Sequence, residues 1–335
     1  MKYSIILVGA GSMGTTWLKN ILTSNYFELV GIVEPSRVNQ ERVVKEFNLS
    51  PKIFFHSLDH ALSKLKPNGV LIATPTNLHK DQILTCWDKG LHVLVEKPLV
   101  SNMEEAKELL LEYKRERILM VSQNYRWLRE SKSIKEILNS GVIGKIGYIN
   151  YSFHIPARFG GWRQELRHVL LEDMSIHHFD LIRYFTGKNF SWIFAHSFRP
   201  EWSWHKGNPT VFVIGELEDN ISFCYSASWV SQENNTQWMG EITFTGSEGA
   251  LKFDSKGRLF LYKKEREKRI PLIRQRKNSL KLVLEEFYNS IKENKLPSTD
   301  LLDNIQSFAI TQACIYSSEN KIRVDIPEFL REFLT

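Results

Sequence analysis

The sequence predicts a doubly wound α/β domain followed by an α+β domain with a mostly antiparallel sheet. Two observations point to this fold class. Apolar runs alternate with amphipathic helical stretches through the first 122 residues, and strand-like stretches then follow one another without that alternation. A chain of 335 residues is also long enough for about two domains, each with its own core. We therefore expect one domain over residues 1–122 and a second over residues 123–335.

The first domain is predicted from short apolar runs that have the character of buried strands. These runs are Ile5–Val8, Leu29–Val33, Ile53–Phe55, Val70–Thr74, Val93–Val95 and Ile118–Val121. Helical patterns such as Met103–Tyr113 lie between them. Near-continuous apolar strands separated by helices are typical of a parallel sheet that is covered on both faces.

The second domain is predicted from longer strand-like stretches that are rich in aromatic and β-branched residues. They are Gly147–His154, Phe190–His196, Val211–Glu218, Ile221–Trp229 and Glu241–Thr245. Consecutive strands of this kind form a mostly antiparallel sheet. Helices are expected at Lys132–Leu138, Ser279–Glu293 and Leu301–Ser318.

The composition excludes several classes of protein. No apolar stretch approaches the ~18 residues of a membrane span, and the apolar run near the N-terminus is too short for a signal peptide. The three cysteines, Cys86, Cys224 and Cys314, are widely spaced and fit neither a disulfide framework nor a zinc site. We therefore expect a cytoplasmic protein with no membrane partner and no metal.

The net charge of +6 is concentrated in one segment. Residues 263–277 contain eight basic and two acidic side chains, so this segment carries the whole excess. Such a patch attracts phosphate or an acidic partner, or it is simply the solvated face of a hairpin or loop. Charge runs are usually surface, so we favour the second interpretation and expect no nucleic-acid partner.

The strongest motif is Gly9-Ala10-Gly11-Ser12-Met13-Gly14, which follows an apolar strand and opens a helix. Gly9 permits a tight turn, Gly11 allows the backbone to approach a pyrophosphate, and Gly14 allows the helix and strand to pack closely. The helix N-terminus supplies amide donors to the phosphates. The alternative is a glycine turn that binds no ligand.

Glu34 lies 20 residues after Gly14, at the end of the second predicted strand. An acidic side chain at this place accepts hydrogen bonds from the adenosine ribose hydroxyls. A carboxylate there would repel a 2′-phosphate, so NAD is favoured over NADP. Ser36 and Arg37 provide the alternative, since together they could hold a phosphate if Glu34 turned away.

Two further segments stand at strand ends, where ligands of open α/β sheets bind. Thr74, Pro75, Asn77 and His79 follow the fourth strand. They are candidates for cofactor contact, although Asn77 is also a plausible N-cap with His79 in the first helical turn. Glu96-Lys97-Pro98 follows the fifth strand and brings Lys97 to the mouth of the sheet, so Glu96 and Lys97 are also candidates for cofactor contact. The alternative for Lys97 is an ordinary surface lysine.

The second domain contains the helical pattern Glu172–Phe185. In a helix, Asp173, His177 and Asp180 share one face, because they are four and three residues apart. A carboxylate one turn before a histidine orients the imidazole and stabilises its charged form, which makes His177 a candidate general acid/base. His178 is the alternative and points about 100° away around the helix.

The chain resembles the Gfo/Idh/MocA oxidoreductase family, named for glucose–fructose oxidoreductase and inositol dehydrogenase. Four motifs in the family's order carry the resemblance: Gly9-Ala10-Gly11-Ser12-Met13-Gly14, Thr74-Pro75-Thr76-Asn77-Leu78-His79, Glu96-Lys97-Pro98 and Asp173-Met174-Ser175-Ile176-His177. Weaker similarity continues through Asn124-Tyr125-Arg126 and Gly246-Ser247-Glu248-Gly249, so the resemblance covers nearly the whole chain.

The resemblance implies a Rossmann domain followed by a domain with an open sheet that mediates homodimers or homotetramers. It also implies that Lys97, Asp173 and His177 form the catalytic set. Members of the family act on sugars, inositols and other polyols, with some on dihydrodiols or tetrapyrroles, and a sugar, an inositol or a related polyol is the substrate that we expect. The family usually has glycines before and within the aspartate–histidine motif. His168–Glu172 and Ser175 replace them here, which changes the expected shape of the substrate pocket.

We expect NAD-dependent oxidation of a secondary hydroxyl, or the reverse reduction. His177 would exchange the hydroxyl proton, Lys97 would bond the same oxygen, and Asp173 would orient the imidazole. Residues that flank the catalytic segments are candidates for substrate contact, and each is equally compatible with packing or an ordinary ion pair. They are Arg126, Trp162, Arg163 and Asp180.

Three other functions compete with the dehydrogenase. A sensor on the same fold would bind NAD without turnover. An enzyme that uses NAD transiently, to assist sugar elimination or hydrolysis, would hold its cofactor tightly and release no net NADH. A nucleic-acid module would depend on residues 263–277.

Overall fold

The structure is a computed structural model that describes residues 2–334. The chain forms two compact units. The first comprises Met1–Trp127 and Lys277–Ile305, and the second comprises Leu128–Arg276 and Gln306–Thr335. The first unit is thus assembled from two separated segments, which a single division at residue 122 does not describe. The expected functional division at that residue stays a prediction.

The first unit contains a six-stranded parallel sheet. Its strands are β1 (Tyr3–Val8), β2 (Phe27–Val33), β3 (Phe54–Phe55), β4 (Gly69–Ile72), β5 (His92–Val95) and β6 (Leu119–Val121). They are arranged in the order β3-β2-β1-β4-β5-β6, and all neighbours are parallel. The chain reverses its direction of winding at β1 and β4, which opens a crevice at their carboxyl ends. The predicted doubly wound sheet is confirmed.

The second unit contains a nine-stranded sheet. Its strands are β7 (Ile146–His154), β8 (Phe190–Phe198), β9 (Thr210–Leu217), β10 (Ile221–Ser228), β11 (Glu241–Gly246), β12 (Gly249–Phe253), β13 (Leu259–Lys263), β14 (Arg266–Ile270) and β15 (Val324–Asp325). The order is β14-β13-β12-β11-β7-β10-β9-β8-β15, with β7 and β10 parallel and the other pairs antiparallel. The predicted mostly antiparallel sheet is confirmed.

Both units also contain helices. They are α1 (Ser12–Leu22), α2 (Arg37–Phe47), α3 (Leu58–Lys64), α4 (His79–Asp88), α5 (Met103–Glu112), α6 (Arg129–Asn139), α7 (Ile176–Thr186), α8 (Ser279–Glu293), α9 (Leu301–Asn320) and α10 (Ile326–Leu334). Among the described residues, no helix is both long enough and apolar enough to cross a membrane.

The late segment joins the first unit because α8 supplies part of that unit's core. Val283, Leu284 and Phe287 are buried in one cluster with side chains of β1 and α1. The ring of Phe287 stacks on Phe27 of β2 with 5.7 Å between centroids. The apolar spacing on α8 is visible in the sequence, but the partner that it covers is not.

The basic segment forms the edge of the nine-stranded sheet. β13 and β14 are an antiparallel pair that turns at Lys264 and Glu265, and β14 is exposed along its length. The expectation of a solvated hairpin is confirmed for this part of residues 263–277. The sequence did not predict β12 to β15 as strands, because they are short and the charge of β14 hides its strand character.

The two faces of the nine-stranded sheet differ in polarity and cover. On the inner face, Phe179 of α7 packs against Phe223 and Tyr225 of β10. The other face, which we call the open face, exposes Tyr148, Phe194, Phe212, Ile214 and Cys224. Pairing of Ile214 with both Phe194 and Cys224 places the open-face residues of β8, β9 and β10 side by side.

Candidate active site

The glycine loop has the geometry expected of a dinucleotide site. Gly9 has a φ of +90°, and a Cβ there would lie 2.7 Å from the carbonyl oxygen of Ala73. A Cβ on Gly14 would lie 2.1 Å from the carbonyl oxygen of Gly9, so α1 packs directly on the loop. A Cβ on Gly11 would meet no atom within 4 Å. The open space at Gly11, before the exposed N-terminal residue Ser12 of α1, suits a pyrophosphate group.

Glu34 is buried at the end of β2 and is fixed by two backbone amides. Its Oε2 accepts from Ala10 N and its Oε1 accepts from Ser36 N, both at 2.8 Å. The carboxylate therefore links the glycine loop to the next loop of the sheet. Each oxygen retains a lone pair, so the group still has capacity to accept from ribose hydroxyls.

Ser36 and Arg37 are not arranged as the alternative site for a 2′-phosphate would require. Ser36 caps α2 by accepting from Asn39 N, and Glu34 points toward the glycine loop rather than away from it. Arg37 pairs with Glu41 at 3.0 Å on the exposed surface of α2. Both side chains thus have local roles at the start of the helix.

His79 is buried between two loops of the first unit. Its Nδ1 lies 3.0 Å from the carbonyl oxygen of Pro98 and its Nε2 lies 3.0 Å from that of Thr74. Burial lowers the pKa of the imidazole. His79 thus connects the loop after β4 to the loop after β5. A direct contact between His79 and the cofactor stays a prediction.

The residues before His79 form a short 3₁₀ turn over Thr76–Leu78. Asn77 does not cap α4, because the N-cap position is Leu78 and no side chain bonds there, so the capping alternative was wrong. Pro75 and Asn77 are exposed, and Thr74 donates to Gln82 Oε1 at 2.7 Å.

Lys97 follows β5, as expected, and is half-buried. The preceding carboxylate of Glu96 is buried, where it accepts from Trp17 Nε1 at 2.7 Å and from Lys97 N at 3.2 Å. Burial raises the pKa of Glu96. The peptide bond between Lys97 and Pro98 is cis. Glu96 thus anchors the backbone of Lys97 to α1, a role for which the sequence carried no local signal.

Two predicted substrate contacts are engaged in internal structure instead. Arg126 is buried in the first unit and donates to Asp303 Oδ2 at 2.7 Å and to the Ser298 carbonyl oxygen at 2.8 Å. Asp180 is 1% exposed in the second unit and accepts from Ser307 Oγ at 2.8 Å. Both side chains are buried and bonded within the protein, so this geometry does not support substrate contact by either residue. The sequence did not reveal these partners because they lie far away along the chain.

The predicted catalytic helix contains a wide turn. Residues Leu171–Ser175 form a π-helical turn that continues into α7, and π-turns inside α-helices are frequent at functional sites. Asp173 lies in this turn and His177 lies in the first turn of α7, and both are buried. Asp173 Oδ2 accepts from Arg163 Nε at 2.6 Å, so its charge is compensated.

Arg163 is held between aromatic rings. Its guanidinium carbon lies 4.5 Å from the ring centroid of Trp162 and 4.8 Å from that of Phe159. Trp162 itself is about half exposed. Of the four predicted substrate contacts, Arg163 therefore contacts the Asp173 carboxylate, and Trp162 packs against Arg163.

A buried polar chain supports the π-turn. The Tyr225 hydroxyl lies 3.0 Å from Ser175 Oγ and 2.8 Å from His178 Nδ1, and His178 Nε2 lies 3.0 Å from the Trp238 carbonyl oxygen. That carbonyl only accepts, so Nε2 of the neutral ring carries the proton and Nδ1 accepts from Tyr225. Tyr225, on a strand 50 residues away, could not have been identified from the helix pattern.

His178 is therefore a structural residue, and the alternative that made it the acid/base was wrong. Both ring nitrogens have buried partners, and burial lowers the pKa of His178 to about 4. His177, its neighbour, remains the acid/base candidate of this helix.

Paired substitutions in the glycine loop separate packing from ligand binding. We expect Gly14→Ala to lower the free energy of unfolding by roughly 1–3 kcal/mol, because the added methyl overlaps the Gly9 carbonyl. Gly11→Ala should leave the free energy of unfolding within about 0.5 kcal/mol of wild type and weaken NAD(P) binding. Denaturant unfolding and calorimetric titration measure both quantities. Equal stability of Gly14→Ala and wild type would contradict the packing described for the loop.

The neutral state of His178 makes stability depend on pH. Its pKa is lowered in the folded protein, so the unfolded chain binds more protons between pH 6.5 and 4. The contribution of neutral His178 to the free energy of unfolding is complete above pH 6.5, and it should fall by up to about 3 kcal/mol as the pH drops to 4. We expect a shallower decline in His178→Asn than in wild type, and an unaltered decline when the exposed His56 is replaced by Asn. Parallel curves for His178→Asn and wild type would show that His178 is not the source.

Family models match both parts of the chain. The model described as "Oxidoreductase family, NAD-binding Rossmann fold" matches residues 3–124, and the one described as "Oxidoreductase family, C-terminal alpha/beta domain" matches residues 135–326. Both are models of the Gfo/Idh/MocA family, which confirms the resemblance.

Individual proteins show the same relationship at low identity. Protein y4oX of Sinorhizobium fredii is 22% identical over 354 residues, which cover 100% of this chain and 97% of that protein. A myo-inositol 2-dehydrogenase of Thermotoga maritima is 27% identical over 190 residues, which cover 56% of this chain and 56% of that enzyme.

A solved structure shares the fold over nearly the full length. An oxidoreductase from Agrobacterium radiobacter, in complex with NAD+, L-tartaric acid and magnesium, has a TM-score of 0.90 at 19% identity, with 98% of this chain and 100% of that chain covered. The family models, which together span most of the sequence, carry the assignment. The chain belongs to the Gfo/Idh/MocA family of oxidoreductases, and its N-terminal part is the family's NAD(P)-binding Rossmann domain.

Proposed function

We propose that this protein is an NAD-dependent dehydrogenase that acts on a secondary hydroxyl of a sugar, inositol or related polyol, or on the corresponding carbonyl in reverse. The observation that carries the proposal is the pair Asp173 and His177 on the π-turn and first turn of α7. A buried histidine, with a charge-compensated carboxylate on the preceding turn of the same helix, is suited to move a proton. The name of the Thermotoga maritima relative supports a polyol substrate.

The residues of the first unit fit a dinucleotide. The open space at Gly11 and the amide groups that begin α1 would hold the pyrophosphate, and Glu34 would accept from the ribose hydroxyls. We choose NAD over NADP because a 2′-phosphate would meet the Glu34 carboxylate, which is bonded toward the loop. Arg37 is paired with Glu41 instead of standing ready for that phosphate.

Each catalytic side chain has one task in this proposal. Oxidation of the hydroxyl breaks the O–H and C–H bonds and forms a carbonyl, and NAD held by the first unit would supply the hydride acceptor for this reaction. His177 takes the hydroxyl proton at a ring nitrogen. Lys97, in the role that the family resemblance implies, would donate a hydrogen bond to a substrate oxygen and stabilise the negative charge that develops on it. Asp173, with Arg163 as its counter-ion, holds the imidazole in orientation and stabilises its charged form.

Loss of the base should remove turnover but not cofactor binding. We expect His177→Ala to lower kcat by about 10²–10⁴-fold with unchanged affinity for NAD, because general acid/base catalysis contributes on that scale. Lys97→Ala should also lose activity. NADH formation is measured across inositols, aldoses, sugar acids and tartrate, the last because of the Agrobacterium radiobacter complex. His178→Asn serves as the neighbouring control and should retain far more activity than His177→Ala.

The alternative functions give different results in the same assay. Wild-type turnover by His177→Ala would remove that residue from the mechanism. NAD binding without turnover of any compound would favour the sensor. Tightly held cofactor, released only on denaturation and without net NADH, would favour transient use of NAD in elimination or hydrolysis.

We infer that a second copy of the chain covers the open face of the nine-stranded sheet. Four large apolar side chains are exposed there: Phe194 on β8, Phe212 and Ile214 on the adjacent β9, and Tyr148 on β7, one strand beyond β10. Such a patch marks an interaction surface, and a sheet face packs well on another sheet face. A homodimer with two-fold symmetry presents this surface to its own copy. The unpaired cysteines agree with a reducing compartment, for which we propose the cytoplasm.

A charge placed in the middle of the open face should dissociate the assembly. We expect Ile214→Lys to raise the dimer dissociation constant at least ~10-fold, because symmetry brings two buried lysines into one interface. Sedimentation velocity measures the change in mass. Leu111→Lys, at an exposed apolar position on α5, is the matched control and should leave the mass unchanged. A monomeric wild-type protein, or an Ile214→Lys dimer of wild-type affinity, would contradict this assembly.

A further inference from the structure

The segment that follows β7 is held in place by two aromatic side chains. The carbonyl oxygen of Ala157 accepts from Trp204 Nε1 at 2.8 Å and from His205 Nε2 at 2.9 Å. Arg199 fixes the loop that carries these two residues, because it donates to the carbonyl oxygens of Ser203 and His205. The backbone at Ala157 therefore has a defined position although it lies outside the sheet.

The next residue, Arg158, is a cation placed on this support. Its guanidinium carbon lies 4.2 Å from the centroid of the Trp204 ring, the same ring that bonds Ala157. Arg158 is exposed, and within residues 2–334 no carboxylate forms an ion pair with it. A guanidinium stacked on an aromatic ring keeps its N–H groups in the plane of the stack, where they remain available to an anion.

The other cations of the neighbouring segment are paired. Arg163 pairs with Asp173, Arg167 with Glu319, and Lys206 with Glu165. Arg158 thus differs from its neighbours in having a rigid support and no protein counter-ion. It also lies five residues before Arg163, the residue that contacts the Asp173 carboxylate. The segment that holds the proposed catalytic carboxylate therefore also presents a free cation.

We propose that Arg158 binds a carboxylate of the substrate, so that the preferred substrates are sugar acids, such as aldonic and uronic acids, rather than neutral polyols. This inference rests on the proposed dehydrogenase function and narrows its substrate class. Two parallel N–H groups on one edge of a guanidinium match the two oxygens of a carboxylate. The stack on Trp204 fixes the orientation before binding, which reduces the entropy lost when the anion is bound.

Steady-state kinetics with matched acid and neutral substrates test the assignment. The pairs are D-gluconate against D-glucose and D-galacturonate against D-galactose, each assayed with saturating NAD. In wild type we expect the acid of each pair to have the higher kcat/KM. Arg158→Met removes the charge but keeps an apolar contact with Trp204. Arg158→Met should lower kcat/KM for the acids about 10–100-fold, mainly by raising KM, and it should leave kcat/KM for the neutral sugars unchanged.

Two further variants test whether the preference for acids depends on the planar guanidinium group, and whether it depends on Arg158 in particular and not on another cation of the same region. Arg158→Lys keeps the charge but loses the planar fork, so its kcat/KM for acids should fall between wild type and Arg158→Met. Arg167→Met removes a cation of the same region that is already paired with Glu319, and it should discriminate between acid and neutral sugars as wild type does. Thermal unfolding of each variant checks that the fold is intact.

Calorimetric titration of gluconate into the NAD complex distinguishes this inference from the proposed function. Turnover of neutral sugars with no preference for acids, or an equal effect of Arg158→Met on both, overturns the inference and leaves the dehydrogenase standing. Absence of turnover, with gluconate bound by wild type and not by Arg158→Met, overturns the dehydrogenase and keeps the carboxylate site. If no acid is bound and no acid is turned over, the inference is overturned.

Discussion

A polar side chain that is buried loses its water, and it is stable only where a protein group replaces that water as a hydrogen-bond partner. This constraint determines the positions of the candidate site residues in each unit. In the first unit, Glu34, His79 and Glu96 bond backbone or indole groups and so join the loops at the strand ends to one another and to α1. In the second unit, Tyr225 does the same for the π-turn through Ser175 and His178.

The adjacent histidines show how environment divides roles between identical side chains. His178 points to partners on the sheet and the following loop, and its proton is committed to a carbonyl oxygen. His177 lies one residue earlier, on the helix that carries the Arg163–Asp173 ion pair on its preceding turn. The same logic separates Arg163, which compensates a buried carboxylate, from Arg126, which stabilises the first unit by bonding Asp303. From residue type alone, the two histidines would have been given the same role, and so would the two arginines.

The sequence was informative where structure depends on neighbouring residues, and uninformative where it depends on distant ones. The six parallel strands, the glycine loop and the family follow from local patterns, and all are confirmed. The return of α8 to the first unit, the burial of Asp180 against Ser307 and the bond from Trp17 to Glu96 join residues about 80 to 280 positions apart, which periodicity does not reveal. The π-turn differs from an α-helix only in its hydrogen-bonding register, so an apolar pattern could not distinguish them.

The first unit is built from two segments that are far apart in the sequence, and this has a consequence for biosynthesis. Phe27 of β2 leaves the ribosome about 260 residues before Phe287, whose ring stacks on it. The nucleotide-binding unit therefore cannot complete its core during translation of its own N-terminal segment, as a contiguous N-terminal domain can. Until α8 arrives, the apolar surface that it will cover is open to other chains. We therefore expect this surface to need chaperone shielding, or rapid covering by α8, while the residues between β2 and α8 are synthesised.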